Sequence, residues 1–317
     1  MLVMNSLTKQ EKSHLNQQAL QAARDYSQKV AWPTVILAII VFVGYWALPL
    51  LVIFNNLSLL IAIPLMAILT YASYTVLHEA VHYCISGNIK SLRWLNDAMG
   101  YLAATVLLTP LIAHRCEHLK HHRNANDGSN DPDQYSAEIV TSVKLMLKSC
   151  WIGIAGQFTT YMADRWDNAP VLQNRILIIE VLIAIAMRVL PFALLFAYGD
   201  ADSQGRWVEA LMALLLGSFA GIFALLYLFA YIVHRPHTVT ERYLNTSTIL
   251  VPGRLSHLLT VLWGFQNYHA IHHLFPWVPF YQYRRLFDRI RPTMNAMGAP
   301  IYRLTWQGLR PVAPSEK

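Results

Sequence analysis

Charge is scarce in this sequence. Asp, Glu, Lys and Arg make up 14% of its 317 residues while hydrophobic residues make up 55%, whereas soluble domains carry roughly 25% charged residues. That balance excludes an ordinary water-soluble globule. Cysteine is nearly absent too. Cys84, Cys116 and Cys150 share no paired spacing, so a disulfide framework is excluded and each is expected to be reduced and structural. The first thirty residues lack an apolar core followed by a small-residue cleavage site, so no removable signal peptide is expected and the first span should act as the insertion signal. Internal repeats and low-complexity tracts are also missing. The formal charge of +7 would suit nucleic acid in a soluble protein. In a membrane chain it belongs on loops facing anionic headgroups, and no nucleic-acid partner is expected.

What the sequence does have is long apolar runs. Four reach the ~20 residues a helix needs to cross a bilayer: Val35 to Phe54, Leu57 to Leu77, Ile176 to Tyr198, and Trp207 to Val233. Asn55-Asn56 reads as a tight hairpin and Gly199 to Gly205 as a loop, both on the far side. A fifth run, Ala98 to Ala113, is too short to span and reads as a re-entrant or interfacial helix. With both termini cytoplasmic, 23 of the 25 Lys and Arg residues fall on the cytoplasmic side, the others being Arg188 and Arg206. The expected fold is therefore all-α and integral to the membrane, with a cytoplasmic helical cap. Its divisions are an interfacial N-terminal helix over 1–34, one membrane domain over 35–310, and a flexible tail over 311–317.

The chain is rich in histidine, with 13 in all. His78 and His82 are spaced H-x-x-x-H at the cytoplasmic end of the second span. His118, His121 and His122 form H-x-x-H-H after the short apolar run. His269, His272 and His273 repeat that pattern after the fourth span. Residues three and four apart share a helix face, so each box can aim its imidazoles at one point. All three boxes fall on one side of the membrane in a layout derived from charge alone. Such a cluster would repel itself if protonated, and a metal removes that cost. His234 and His237, near the end of the fourth span, offer a ninth ligand from either. His14, His114 and His257 are assigned no role. The pair His78-Glu79-Ala80-Val81-His82 also spells the H-E-x-x-H of zinc proteases, with Glu79 as general base. That rival leaves five or more clustered histidines unexplained.

These motifs resemble the membrane fatty acid desaturase superfamily of histidine-box oxidases. The resemblance rests on His118 to His122 followed by Asn126-Asp127 and Asn130 to Asp133, on Tyr231 to His237, and on the run from Gln266 to Tyr283. Within the superfamily the pattern is most similar to the cyanobacterial-type beta-carotene hydroxylase branch. Glu79, where that branch carries Asp, and Val233, where it carries Pro, depart from it. The resemblance implies two iron ions held by His78, His82, His118, His121, His122, His269, His272 and His273. It favours His234 as the ninth ligand, with His237 as the alternate. It further implies oxidation of a lipid C–H bond by dioxygen, with electrons from an external donor such as ferredoxin, in a bacterial inner membrane. Hydroxylation of a carotenoid is the first expectation, and desaturation of an acyl lipid is the alternative. Glu79, Glu117, Asp127, Asp131 and Asp133 are expected to orient the imidazoles through their outer N–H groups. Glu180 and Arg188, inside the third span, are expected to snorkel or pair.

Overall fold

The computed structural model describes residues 7–313 apart from 28 and 55. Helix α1 (Lys9–Arg24) starts at a capping box in which Thr8 and Glu11 satisfy each other's backbone N–H groups. The first span, α2 (Trp32–Ile53), carries Pro33 in its first turn, where a missing N–H costs nothing. It packs against the second, α3 (Leu59–Val81). Asn55 lies outside the described residues, so the expected hairpin there stands undescribed.

The short apolar run departs from expectation. It is two helices, α4 (Trp94–Leu107) and α5 (Leu111–Asn124), which meet at 96°. Leu108 adopts a left-handed conformation with φ 57°, and Pro110 supplies an extended residue just ahead of α5. Proline disfavours helix at the residue before it, so Thr109 cannot continue α4. Helices α6 (Val143–Trp151) and α7 (Gln157–Asp164) follow, joined by a π-helical stretch over Ile152–Gly156.

The third span, α8 (Val171–Tyr198), holds the bend together. Its Glu180 accepts from the Leu111 N–H at 2.5 Å, at the open N-terminus of α5. Arg188, two turns along, donates to the carbonyls of Thr105 and Val106 at 2.6 and 2.7 Å, at the C-terminal end of α4. Each charge sits where the helix dipole favours it. The guanidinium also lies 5.4 Å from the Trp46 ring.

The fourth span starts earlier than expected. Helix α9 (Ala201–Leu225) takes up most of the anticipated 199–205 loop, then runs through a π-helical stretch, Leu226–Tyr231, into α10 (Ile232–His234). Gly217 and Gly221 let it approach α3 closely, since a Cβ at Gly221 would lie 2.6 Å from the Ala67 carbonyl oxygen. Any side chain there would force the two spans apart.

Beyond α10 the chain builds a cap from β1 (Thr248–Leu250), α11 (Ser256–Leu262), α12 (His269–Leu274), α13 (Tyr283–Ala296), β2 (Ile301–Thr305) and β3 (Gly308–Pro311). The strands form one small sheet, β1 parallel and β3 antiparallel to β2. It is a minor addition to an all-α membrane fold that has, among the described residues, four helices long and apolar enough to span. Pro311 pairs with Tyr302 and the Val312 N–H bonds Ile301, so the ordered sheet extends past the expected start of the tail, and 314–317 lie outside the described residues. The alanine face of α1, Ala19, Ala22 and Ala23, is buried with α13 rather than turned to lipid.

Candidate metal centre

Val81 ends the second span and His234 ends the fourth. There the C-terminal turns of α3 and α10 meet α5 and α12. His78 and His82 lie one turn apart at the end of α3, and their rings are 5.4 Å apart. The polar half of α5 presents His118, His121 and His122, and α12 presents its three from a single short helix.

The imidazoles form two groups. Ligand-capable atoms of His78, His82, His118, His122 and His272 all lie within 4.8 Å of one another, as do those of His121, His234 and His273. His269 reaches the second group, its Nε2 3.1 Å from Nε2 of His234. Within the first group, Nε2 of His122 stands 3.1 Å from that of His118 and 2.8 Å from that of His272. The His122 and His273 rings stack at 4.4 Å and link the groups.

Electrostatics favour neutral rings at His82, His272 and His273, whereas at His121 the Asp133 and Asp131 carboxylates outweigh burial and raise the value. Burial, and then repulsion from neighbouring imidazoles, holds His272 and His273 well below the ordinary histidine value. Burial likewise lowers His82 to about 3. Neutral imidazoles keep a lone pair for a metal. Nε2 of His78, His82 and His273 is buried with no hydrogen-bond partner among the described residues, a cost of about 1–3 kcal/mol each that a metal bond would remove. Nine all-nitrogen donors in two groups with inward nitrogens unsatisfied fit a pair of metal ions.

Several rings are fixed from behind. Asp131 Oδ1 is 2.8 Å from His121 Nδ1, and the same side chain accepts from the backbone N–H groups of Asn126 and Asp133. Gln266 Oε1 is 2.8 Å from His269 Nδ1, and the Tyr283 hydroxyl is 3.1 Å from His272 Nδ1. Such contacts set ring orientation, leaving the inner nitrogen free to bind. Gln266 and Tyr283 were not among the expected orienting groups. Gln266, three residues before His269, carried a signal in its helical spacing.

Other assignments need correction. The Glu79 carboxylate accepts from the Thr34 hydroxyl and the Phe280 backbone N–H, not from a histidine. It pins the first span and the cap to α3. Asp127 is taken up by Ser129 and Asn130 in its own turn. Glu117 is buried with Oε2 unpartnered and has no hydrogen bond to an imidazole. Asp133, pushed up to about 6 by burial, lies 3.8 Å from His121 Nδ1, beyond hydrogen-bond reach. His237 stacks on Tyr231 at 5.5 Å and joins neither group. His114, to which no role is assigned from spacing, is buried beside the cluster, its Nδ1 2.9 Å from Gln157 Oε1. His14 and His257 are exposed.

A Glu79→Gln variant tests the protease reading. Glutamine can still accept from Phe280 and donate to Thr34, so turnover and bound metal should stay within about threefold of wild type. A protease base at this position would instead lose its activity, and a peptidase assay alongside oxygen uptake reads the difference.

An apolar cavity opens on the centre. Tyr74, Ile222, Leu225 and Phe229 line it, facing His78, His118, His121, His234 and His269.

Comparison with known proteins adds the following. The family model described as fatty acid desaturase matches residues 55–305. A "Delta(9) fatty acid conjugase-like enzyme" of Dimorphotheca sinuata is 23% identical over 273 residues, covering 72% of this chain and 69% of that protein. A "Delta(12) fatty acid dehydrogenase" of Crepis alpina is 21% identical over 264 residues, with 73% and 68% covered. An "sn-1 oleoyl-lipid 12-desaturase" of Anabaena variabilis is 23% identical over 184 residues, with 54% and 50% covered.

Proposed function

The chain belongs to the fatty acid desaturase family, and from that premise we propose that it removes hydrogen from the acyl chain of a membrane lipid to form a double bond. It is an oxidoreductase of lipid metabolism and an integral membrane protein. The observation that carries the reading is the convergence of two buried histidine groups on an apolar cavity.

The nine ligands proposed are His78, His82, His118, His121, His122, His234, His269, His272 and His273, holding two iron ions. When bound, the metal pair supplies the oxidising power that breaks an unactivated C–H bond with dioxygen. The chain's own residues do the rest. Asp131, Gln266 and Tyr283 hold their rings in register from behind. Tyr74 and Phe229 keep the approach to the histidines apolar, which excludes bulk water and receives a hydrocarbon. The distribution of Lys and Arg supports a cytoplasmic centre, and the membrane proposed is a bacterial inner membrane. A basic face of this kind favours an acidic external electron donor, such as a ferredoxin.

The expectation of a carotenoid hydroxylase gives way here. It rests on His118 to His122 with Asn126-Asp127 and Asn130 to Asp133, on the segment Tyr231 to His237, and on the Gln266 to Tyr283 run. The named relatives, by contrast, are desaturase, dehydrogenase and conjugase enzymes of fatty acids. Expression in a carotene-making host, with fatty acids and pigments both read by mass spectrometry, separates the two. A fatty acid lacking two hydrogens, with pigments unchanged, is the expected result. Hydroxylated carotene with unchanged fatty acids would overturn it.

A further inference from the structure

Two recesses lie in sequence along α8 and a third adjoins the second, and they change character along the way. The first, about 600 Å³, sits at the span ends and brings together Arg115, Arg123 and Arg165. The second, about 580 Å³, is apolar and runs between α8 and the α4–α5 bend. They share Tyr101 and Ile176. The third is the cavity facing the histidines, and it meets the second at Thr109.

From this continuity, and resting on the acyl-chain reading above, we propose that the protein binds its substrate as an intact anionic phospholipid. The phosphate lies among the three arginines, the acyl chain follows α8, and the reacting segment passes Thr109 to the histidines.

The charges in the first recess suit a phosphate. Arg115 is paired with Asp97 at 2.7 Å and lies over the Tyr83 ring, so it is held in place and partly neutralised. Arg123 spends its Nε on the Leu119 carbonyl, leaving its terminal nitrogens to a ligand. The Arg165 side chain has no hydrogen bond or ion pair among the described residues and is half-buried. A guanidinium fork is matched to phosphate oxygens and binds them bidentately. The position is right for a headgroup as well. Trp151, which lines the adjoining second recess, is 68% exposed, as interfacial aromatics are.

The apolar recess faces lipid. Only 17% of the spanning window of α8 is buried, and Leu172, Ile179 and Ile183 are exposed. From Leu172 to Ala184 the helix rises about 18 Å, which is one leaflet's depth in a hydrocarbon core of ~30 Å. A lipid already in the bilayer can therefore slide in sideways with its phosphate at the interface. A soluble acyl thioester carries anionic phosphates too, but it would have to draw its chain out of water and across this open flank.

The test uses metal-loaded full-length protein in nanodiscs. Binding is read with phosphatidylglycerol, phosphatidylcholine or acyl-coenzyme A, each bearing a mid-chain diazirine. Wild type should be labelled at least tenfold more by phosphatidylglycerol than by either alternative, with adducts mapping to 172–184 and to Thr109. Arg165→Glu together with Arg123→Glu should remove that preference. Equal labelling by the three probes, preferential labelling by the thioester, or adducts elsewhere would overturn the proposal. The adduct map needs wild type alone, so a poorly folding variant leaves the test intact. Desaturation of phosphatidylcholine chains as fast as phosphatidylglycerol chains would sink the headgroup assignment while leaving the desaturase reading standing. Absence of any new double bond, with labelling as expected, would do the reverse.

Discussion

His272→Ala should insert and fold normally, lose at least half its bound metal, and fall in turnover by about three orders of magnitude or more. The ring is fully buried, its Nε2 stands 2.8 Å from that of His122, and its centroid lies 4.0 Å from that of His78 with the rings tilted by 47°. Its loss opens the group of five on the cap side, since the other four members come from the end of α3 and from α5. The effect on stability should be small, because the imidazole is a neutral group whose inner nitrogen faces other nitrogens. Metal analysis, circular dichroism and turnover on the same preparation read all three quantities. Tyr283→Phe supplies the scale. It removes only the hydroxyl behind His272, and loss of such a supporting contact costs about 10–100-fold in affinity or activity. Full metal and full turnover in His272→Ala would remove this residue from the ligand set.

The second large effect is expected far from the histidines. Arg188→Leu strips the partners from the Thr105 and Val106 carbonyls, and Glu180→Leu strips the acceptor from the Leu111 N–H. Buried backbone groups left without a partner cost about 1–3 kcal/mol each, and lipid offers no water to replace the bond. Each variant should lower the thermal midpoint by several degrees and bind less metal, because α5 carries His118, His121 and His122. Glu180→Gln keeps an acceptor for Leu111 and should behave almost as wild type. Unchanged midpoint and metal content in both leucine variants would show that α8 plays no part in holding the bend.

Much of this was written in local sequence. Hydropathy marks the four spans because a bilayer crossing demands unbroken apolar length, and the histidine spacing follows helical geometry. Both signals repeat within a turn or a span. The features that escaped depend on residues distant in the chain. Glu79 reads as part of a metal motif until Thr34 and Phe280 are seen to hold it, 45 and 201 residues away. Glu180 and Arg188 look like isolated charges in a span until α4 and α5 break opposite them. The break itself had a local sign in Thr109-Pro110, outweighed by the apolar run around it. The short sheet went unseen because three to five residues per strand give too little alternation to stand out.

The order in which the histidines leave the ribosome carries a consequence for biosynthesis. His78 emerges with the second membrane helix, whereas its neighbour His272 follows 194 positions later. Helices that emerge first can be inserted and packed while translation continues, yet the cage has no closing wall until the cap is made. Metal loading is therefore a late event in the life of each chain. On the proposed ligand set, a cell short of the metal is expected to hold inserted chains whose histidine groups are complete but unfilled.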